Sequence, residues 1–246
     1  MMNLVKTEGI ILGETNYSES SKILKVLTKD YGMISIMSKG CRNIKSKLRS
    51  VSTIFTYGDF HLYYKEQGIS VLTSVDIKNT FLSLQSDIEK ISYASFLLDL
   101  TEQVLKHTEN DEIYPLLIAT LEKMNEGYNT HALTNILELK YLNFLGIRPV
   151  LDCCSICGNQ TEIVTMDASS GGYLCKNCYH NEKIYSDKTI KLIRLFYYLD
   201  ISKITKLEIK EDSLKELNEF IDDYYERYSG LYLRSKKFLE NISKIG

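Results

Sequence analysis

The sequence predicts an α+β multidomain protein with a small five-stranded β-barrel, a helical bundle and a four-cysteine segment inserted into that bundle. Three observations support this fold class. Short apolar or alternating segments occupy about the first 80 residues, apolar residues at helical spacing follow, and two Cys-x-x-Cys pairs interrupt the helical part. We expect the barrel at residues 1–80 and the helical domain at 81–246, with the insertion at about 149–187.

The predicted barrel depends on five short strands separated by turn residues. Asp30-Tyr31-Gly32, Tyr57-Gly58-Asp59 and Gln67-Gly68 are the expected turns, because glycine and aspartate favour turn conformations. About five strands in so short a segment favour a small barrel, for which the oligonucleotide-binding (OB) fold is one candidate. The strands are predicted at Val5–Leu12, Ile23–Thr28, Met33–Ser38, Asp59–Tyr64 and Ser70–Ile77.

After Asn79 the apolar residues recur every three to four positions, which is the spacing of helices. Three helices are predicted before Gly146 and Pro149, which end the third helix in the usual order. Helical spacing resumes near Thr189, and a last helix is expected to open with a capping box formed by Ser213 and Glu216. These segments form the predicted bundle.

The cysteine segment has the spacing of a two-knuckle zinc site, because 17 residues separate its two Cys-x-x-Cys pairs. Gly158, which follows the first pair, suits the positive-φ step after a knuckle. Four thiolates fill the coordination shell and leave no position for water, so the sequence predicts one structural Zn²⁺. The predicted ligands are Cys154, Cys157, Cys175 and Cys178.

Other interpretations of the cysteines stay open at this point. They could form a redox pair, or they could be reduced thiols in a core. Cys153, beside the first pair, or His180, just after the second, could replace one ligand.

Residues 1–13 lack the features of a secretory signal, and no stretch approaches the roughly 20 apolar residues of a membrane helix. We therefore expect a cytoplasmic protein without membrane contact, whose thiols stay reduced.

The amino-terminal third carries more positive charge than the rest of the chain. Residues 1–80 hold 11 Lys and Arg against 7 Asp and Glu, a balance of +4 within an overall charge of -2. Residues 39–49, between two predicted strands, carry five positive charges and no acid, so they could neutralise DNA phosphates. The alternative is a loop kept polar for solubility. The predicted DNA-binding residues are Lys39, Arg42, Lys45, Lys47 and Arg49, with Lys22 and Lys25 nearby in sequence.

Catalysis is not expected. The sequence has no Gly-Lys-Ser or Gly-Lys-Thr phosphate loop, no His-Glu-x-x-His motif and no tight carboxylate cluster suited to two metal ions. The competing hypothesis is a zinc-containing protein-interaction module without direct DNA binding. In that case the bundle would take an apolar partner tail in a groove near Lys140 and Arg148, although the sequence does not locate the groove.

Several short motifs follow one another along the chain in a specific order and spacing. They are Tyr17-Ser18-Glu19, Lys22, Leu27-Thr28, Gly32, Lys39-Gly40-Cys41-Arg42, Ser46-Lys47-Leu48-Arg49, Leu145-Gly146-Ile147-Arg148-Pro149, Ser170-Gly171-Gly172-Tyr173-Leu174-Cys175 and Ser235-Lys236-Lys237-Phe238-Leu239. Taken in order, these motifs resemble the RecO family of bacterial DNA repair proteins, and the resemblance covers nearly the whole chain. Cys41 departs from the family, which usually has a small residue such as alanine there.

The resemblance implies an OB barrel, a helical bundle and a zinc insertion that act in homologous recombination and DNA repair through the RecF pathway. Family members bind single- and double-stranded DNA, anneal complementary strands, and work with RecR to load RecA on strands coated by single-stranded DNA-binding protein. They also capture the acidic, apolar carboxy-terminal tail of that coat protein. RecF and RecA are implied as indirect partners, and the implied location is the cytoplasm, in association with the nucleoid.

Overall fold

The computed structural model describes residues 3–233 together with residues 236 and 239. The predicted fold class is confirmed, with a five-stranded OB-like sheet first, a helical region after it, and a cluster of four cysteines within the helical region. The similarity of residues 235–239 to a closing helix falls outside the described residues, apart from 236 and 239. None of the described helices is both long and apolar enough to cross a bilayer.

The five predicted strands are all present, and each is longer than expected. They pair in the cyclic order β1-β2-β3-β5-β4, and β4 pairs back to β1. All pairs are antiparallel except β3 with β5, which meet in parallel at only two residue pairs and so close the barrel weakly. The strands are β1 (Asn3–Tyr17), β2 (Ser21–Thr28), β3 (Gly32–Ser38), β4 (Tyr57–Tyr64) and β5 (Ser70–Asn79).

The turn predicted at Tyr57-Gly58-Asp59 is wrong, because β4 already begins at Tyr57. A Cβ atom on Gly58 would lie 2.3 Å from the backbone oxygen of Asp76 on β5. Glycine is therefore needed here for close approach of two strands. The expected turn at residues 67–68 lies between strands, and so does the one at 30–32 apart from Gly32, which is the first residue of β3.

Six α-helices and a second, two-stranded sheet are described after the barrel. Helix α4 is central, since it contacts α2, α3, α5 and α6 and is buried along most of its length. A 3₁₀ turn follows α5 at Ile201–Lys203. The elements are α1 (Leu82–Gln85), α2 (Ile88–Val104), α3 (Ile113–Asn125), α4 (Thr130–Phe144), β6 (Ile163–Asp167), β7 (Gly172–Cys175), α5 (Asp187–Tyr198) and α6 (Glu211–Tyr228).

The capping box predicted for the last helix is wrong. Helix α6 begins at Glu211, so Ser213 lies inside its first turn. Glu216 instead accepts hydrogen bonds from the hydroxyls of Ser186 (2.8 Å) and Thr189 (2.5 Å), at the amino terminus of α5. A carboxylate is favoured there because the first N–H groups of a helix carry partial positive charge. Glu216 thus links α6 to the start of α5.

Glu8 on β1 connects the barrel to the helices. Its carboxylate accepts hydrogen bonds from the hydroxyls of Tyr57 (2.7 Å) and of Tyr114 on α3 (2.9 Å), and it pairs with Lys78. Burial raises the pKa of Glu8, but the bonds from Lys78 and the two tyrosines outweigh that effect and lower it overall. The ionised carboxylate therefore stabilises the fold.

We expect Glu8→Gln to lower the free energy of unfolding at pH 7 by about 1 to 3 kcal/mol, because hydrogen bonds to a charged acceptor weaken. Since the folded pKa of Glu8 lies below its usual 4.5, the stabilisation is present at neutral pH and is lost as the pH falls through the folded value. The difference from the wild type should shrink in denaturant titrations below pH 4.5. Glu19→Gln, at an exposed carboxyl, is the control, and an equal effect there would contradict this role.

Candidate metal centre and nucleic-acid interface

The four predicted cysteine ligands lie together. The sulfur atoms of Cys154, Cys157, Cys175 and Cys178 are all within 4.8 Å of one another, and those of Cys157 and Cys175 are 3.6 Å apart. A disulfide would require about 2.05 Å, whereas four sulfurs around a tetrahedral zinc at about 2.3 Å lie about 3.8 Å apart. The cluster could hold a metal ion, and its donors and spacing fit zinc.

Each Cys-x-x-Cys pair forms a tight backbone turn. Gly158 donates its N–H to the carbonyl of Cys154 (2.9 Å) and adopts the expected positive φ of 76°. Cys178 donates to the carbonyl of Cys175 (3.0 Å), and Cys175 ends strand β7. These turns bring both pairs of sulfurs to one point. Within the described residues, neither Cys153 nor His180 belongs to the cluster.

The surroundings of the four thiols change their acidity. Burial raises the pKa of Cys154, but backbone N–H groups of Cys157, Cys175 and Ile156 directed at its sulfur lower that pKa to about 6. Hydrogen bonding with Cys157 raises the pKa of Cys178 to about 12. Four sulfurs this close do not all ionise together without a cation, and a divalent ion would remove their mutual repulsion.

The cysteine segment is fixed to helices α5 and α6. Asp152 accepts hydrogen bonds from Arg194 (2.8 Å) and Tyr198 (2.5 Å) on α5. Tyr228 on α6 donates to the carbonyl of Ala168 (3.0 Å) in the β6–β7 turn. One side of the segment therefore packs against the helical region, and the other side carries the cysteine cluster.

The basic loop, residues 39–56 between β3 and β4, is held in shape by hydrogen bonds within its own backbone. Three successive turns are closed by Asn43 N–H to Gly40 O (3.1 Å), Ser46 N–H to Asn43 O (3.0 Å) and Arg49 N–H to Ser46 O (3.2 Å). Several neutral side chains of the loop face inward, since Cys41, Val51 and Ser52 are buried and Leu48 packs against the barrel core, whereas Ile44 is exposed. A defined surface results.

The five cations of the basic loop are all on the outside. Each is exposed, and within the described part of the chain none forms an ion pair with a carboxylate. Among the described residues, only Arg42 of the five has a side-chain hydrogen bond, to the carbonyl oxygen of Ser18 (3.2 Å), which leaves its charge uncompensated. This set, called the loop cations below, comprises Lys39, Arg42, Lys45, Lys47 and Arg49.

Lys22 and Lys25 differ from the loop cations, because both are paired. Lys22 bonds to Glu14 (2.7 Å) and to the carbonyl of Ser52 (3.2 Å), so it connects β2 to the basic loop. Lys25 pairs with Glu102 on α2 and thereby connects the barrel to the helices. The structure gives both lysines a role in holding elements together.

A groove of about 670 Å³ opens beside the carboxy-terminal end of α4. Its wall is largely apolar or aromatic, with two cations, Lys140 and Arg148, and two carboxylates, Glu112 and Asp200. Lys140 donates to the carbonyl of Tyr197 (2.5 Å), and burial lowers its pKa although Asp200 opposes that effect. Sequence reasoning found the two cations but missed the wall of Leu116, Phe144, Tyr197, Tyr198 and Leu199. The two adjacent tyrosines that end α5 were the available signal.

Sequence comparisons place these features among known proteins. The family model described as "Recombination protein O N terminal" matches residues 2–81, and "Recombination protein O C terminal" matches residues 85–237. DNA repair protein RecO of Listeria monocytogenes serotype 4b (strain F2365) is 34% identical over 243 residues, covering 97% of this chain and 95% of the relative. DNA repair protein RecO of Halalkalibacterium halodurans is 35% identical over 246 residues, covering 98% and 96%. The Bacillus pumilus protein of that name is 31% identical, with the same coverage.

Proposed function

The chain belongs to the recombination protein O family, and on that premise we propose that it mediates recombinational DNA repair by binding and annealing DNA strands. The observation that supports this most directly is the set of five exposed loop cations, which have no carboxylate partner among the described residues and lie on an ordered loop of an OB-like barrel. Binding would cover single and double strands without sequence preference, because contacts to phosphates carry no sequence information.

The charge distribution supports a grip on phosphates. Cations without a carboxylate partner need no rearrangement to meet a phosphate, and each contact releases counterions from the DNA. Lys22 and Lys25 are secondary candidates in this proposal, since each would have to leave an ion pair first. Residues 1–80 would thus supply the main DNA surface, and residues 81–246 the partner surfaces.

Annealing follows from the same electrostatics. Two strands repel each other, and a basic surface that screens this repulsion while leaving the bases accessible lets pairing proceed. No bond is made or broken in this mechanism, so the proposal assigns the chain no catalytic residue.

For the cysteine cluster we propose one structural Zn²⁺ held by Cys154, Cys157, Cys175 and Cys178. Four thiolates complete a tetrahedral shell, so the ion would stabilise the segment and leave no site for water. The two-stranded sheet β6–β7 is small, and it depends on the knuckles and on its contacts with α5 and α6 for support.

The groove suits the partners that the family relation suggests. An acidic, apolar tail, such as that of single-stranded DNA-binding protein, would place apolar side chains on the aromatic wall and carboxylates near Lys140 and Arg148. Capture of that tail would bring the loop cations to coated strands, where the protein would work with RecR to load RecA, with RecF and RecA as indirect partners. This activity belongs in the cytoplasm, at the nucleoid.

The groove also favours a second candidate function, a zinc-containing protein-interaction module without direct DNA binding. The two functions differ in what the barrel does. In the interaction module, the loop cations would serve solubility only, so the barrel would not bind DNA whether they are present or removed. The full chain is the right material for testing this, because barrel residues such as Ile10 and Leu12 share one core with the helices.

Replacing all five loop cations with serine should weaken binding to single-stranded DNA at low salt and reduce its salt dependence. Each lost phosphate contact lowers the slope of log K against log salt by about 0.7, so the slope should fall by up to about 3.5. Fluorescence anisotropy with a labelled oligonucleotide measures this. The control replaces five exposed lysines of the helical region, Lys188, Lys191, Lys206, Lys210 and Lys215. An unchanged slope in the loop variant would show that the DNA surface lies elsewhere, whereas no DNA binding by the unaltered protein at low salt would support the interaction-module function.

Purified protein should contain one zinc per chain by elemental analysis, and a strong chelator should lower its thermal midpoint. Cys154→Ser and Cys178→Ser should each lose most of the zinc, because three thiolates bind it less tightly. Cys153→Ser and His180→Ala are matched controls that should keep the full amount. Zinc lost from a control but retained in Cys154→Ser would show that the ligand set is wrong.

Arg148→Ala should weaken binding of a synthetic acidic, apolar peptide about tenfold, since one exposed cation of the groove is removed. Calorimetric titration measures this affinity. Arg42→Ala is the reciprocal control, which should weaken DNA binding and leave the peptide affinity unchanged. A peptide that binds both variants and the wild type equally would exclude this groove as its site.

A further inference from the structure

We propose that Tyr17, at the tip of the β1–β2 hairpin, stacks on an unpaired base next to the loop cations, so that this end of the barrel favours single strands over duplex. The inference deepens the proposed DNA binding and depends on it. In that proposed function the loop cations contact only phosphates, and Tyr17 would add a contact with a base.

The hairpin tip and the basic loop form one unit. Arg42 donates its backbone N–H to the carbonyl of Ser20 (2.9 Å) and a guanidinium N–H to that of Ser18 (3.2 Å). Gly40 donates its N–H to the hydroxyl of Ser21 (3.1 Å). Arg42 is thus bonded to the residue directly after Tyr17, which holds the basic loop against the hairpin tip.

The conformation of the tip is fixed. Tyr17 is the last residue of β1 and pairs with Ser21 across the turn. Ser18 adopts a φ of 56°, a left-handed conformation that costs a serine energy and persists where neighbours hold it. Bonds from Arg42 to the carbonyls of Ser18 and Ser20 provide that hold. The ring of Tyr17 is therefore presented from a defined backbone.

Tyr17 is also accessible. Its exposed fraction is 48%, whereas Phe55, Tyr57 and Phe60 of the barrel are buried. Tyr31 and Tyr64 contact each other with ring centroids 4.3 Å apart, but Tyr17 has no ring partner among the described residues. An exposed ring that has no ring partner among the described residues, on a hairpin tip bonded to the basic loop, has the features of a stacking platform for single-stranded nucleic acid.

The local charges favour a polyanion. Glu14 is neutralised by Lys22 (2.7 Å), and Glu19 adds one exposed negative charge to the tip, against the five loop cations. Bases in a duplex are already paired and stacked, so Tyr17 could meet them only at an end or an opening. The ring therefore adds affinity for single strands alone, while the cations serve both forms.

The sequence offers a direct spectroscopic test, because it contains no tryptophan. Tyr17→Trp introduces a single reporter, whose fluorescence should be quenched when a thymidine oligonucleotide binds and should change little with a blunt duplex. Tyr63→Trp is the matched control, since Tyr63 is 46% exposed but pairs with Leu4 at the opposite end of β1. Its fluorescence should not respond to either DNA.

Affinity measurements complete the test. Tyr17→Ala should weaken single-strand binding by about fivefold or more, with duplex affinity and the salt slope unchanged, and Tyr17→Phe should restore the wild-type affinity. Equal weakening for both DNA forms, or an unquenched Tyr17→Trp that still binds, would overturn the stacking role while leaving the loop cations in place. Absence of DNA binding by the unaltered protein at low salt would overturn both proposals.

Discussion

Burial of β1 on both of its faces is the constraint on which the rest of the structure depends. Ile11 points into the barrel core, while Ile10 and Leu12 belong to the core shared with the helices. Alternation along the strand makes this double burial possible, because successive side chains leave opposite faces. Glu8 adds a hydrogen-bonded connection to α3 on the same strand. The barrel is consequently held against the bundle.

Double burial of β1 also determines where function can lie. The part of β1 that enters both cores is fully used in packing, and the strand then continues beyond them to the exposed tip at Tyr17. The basic loop reaches this tip and is bonded to it through Arg42. A rigid central strand thereby gives a fixed position to a surface that is otherwise made of turns, which suits contacts with a flexible polymer.

The cysteine cluster and the groove depend in a similar way on the helices. Asp152 lies beside the first cysteine pair and bonds to Arg194 and Tyr198 of α5, and Tyr198 also lines the groove. The two features therefore share a helix. Folding of the cysteine segment and the shape of the groove wall are linked through that helix, whereas the loop cations lie on a separate part of the chain.

The sequence by itself determined the order of elements, the fold class and the four clustered cysteines, because hydrophobic period and Cys-x-x-Cys spacing are local properties. It also located the loop cations. Only the tertiary structure decided which charges are already paired, since Lys25 meets Glu102 across 77 positions of sequence. The tertiary structure also decided that Gly58 lets β4 approach β5 closely and that Glu216 of α6 accepts hydrogen bonds at the start of α5. Such roles depend on which atoms meet after folding, and no local pattern records that.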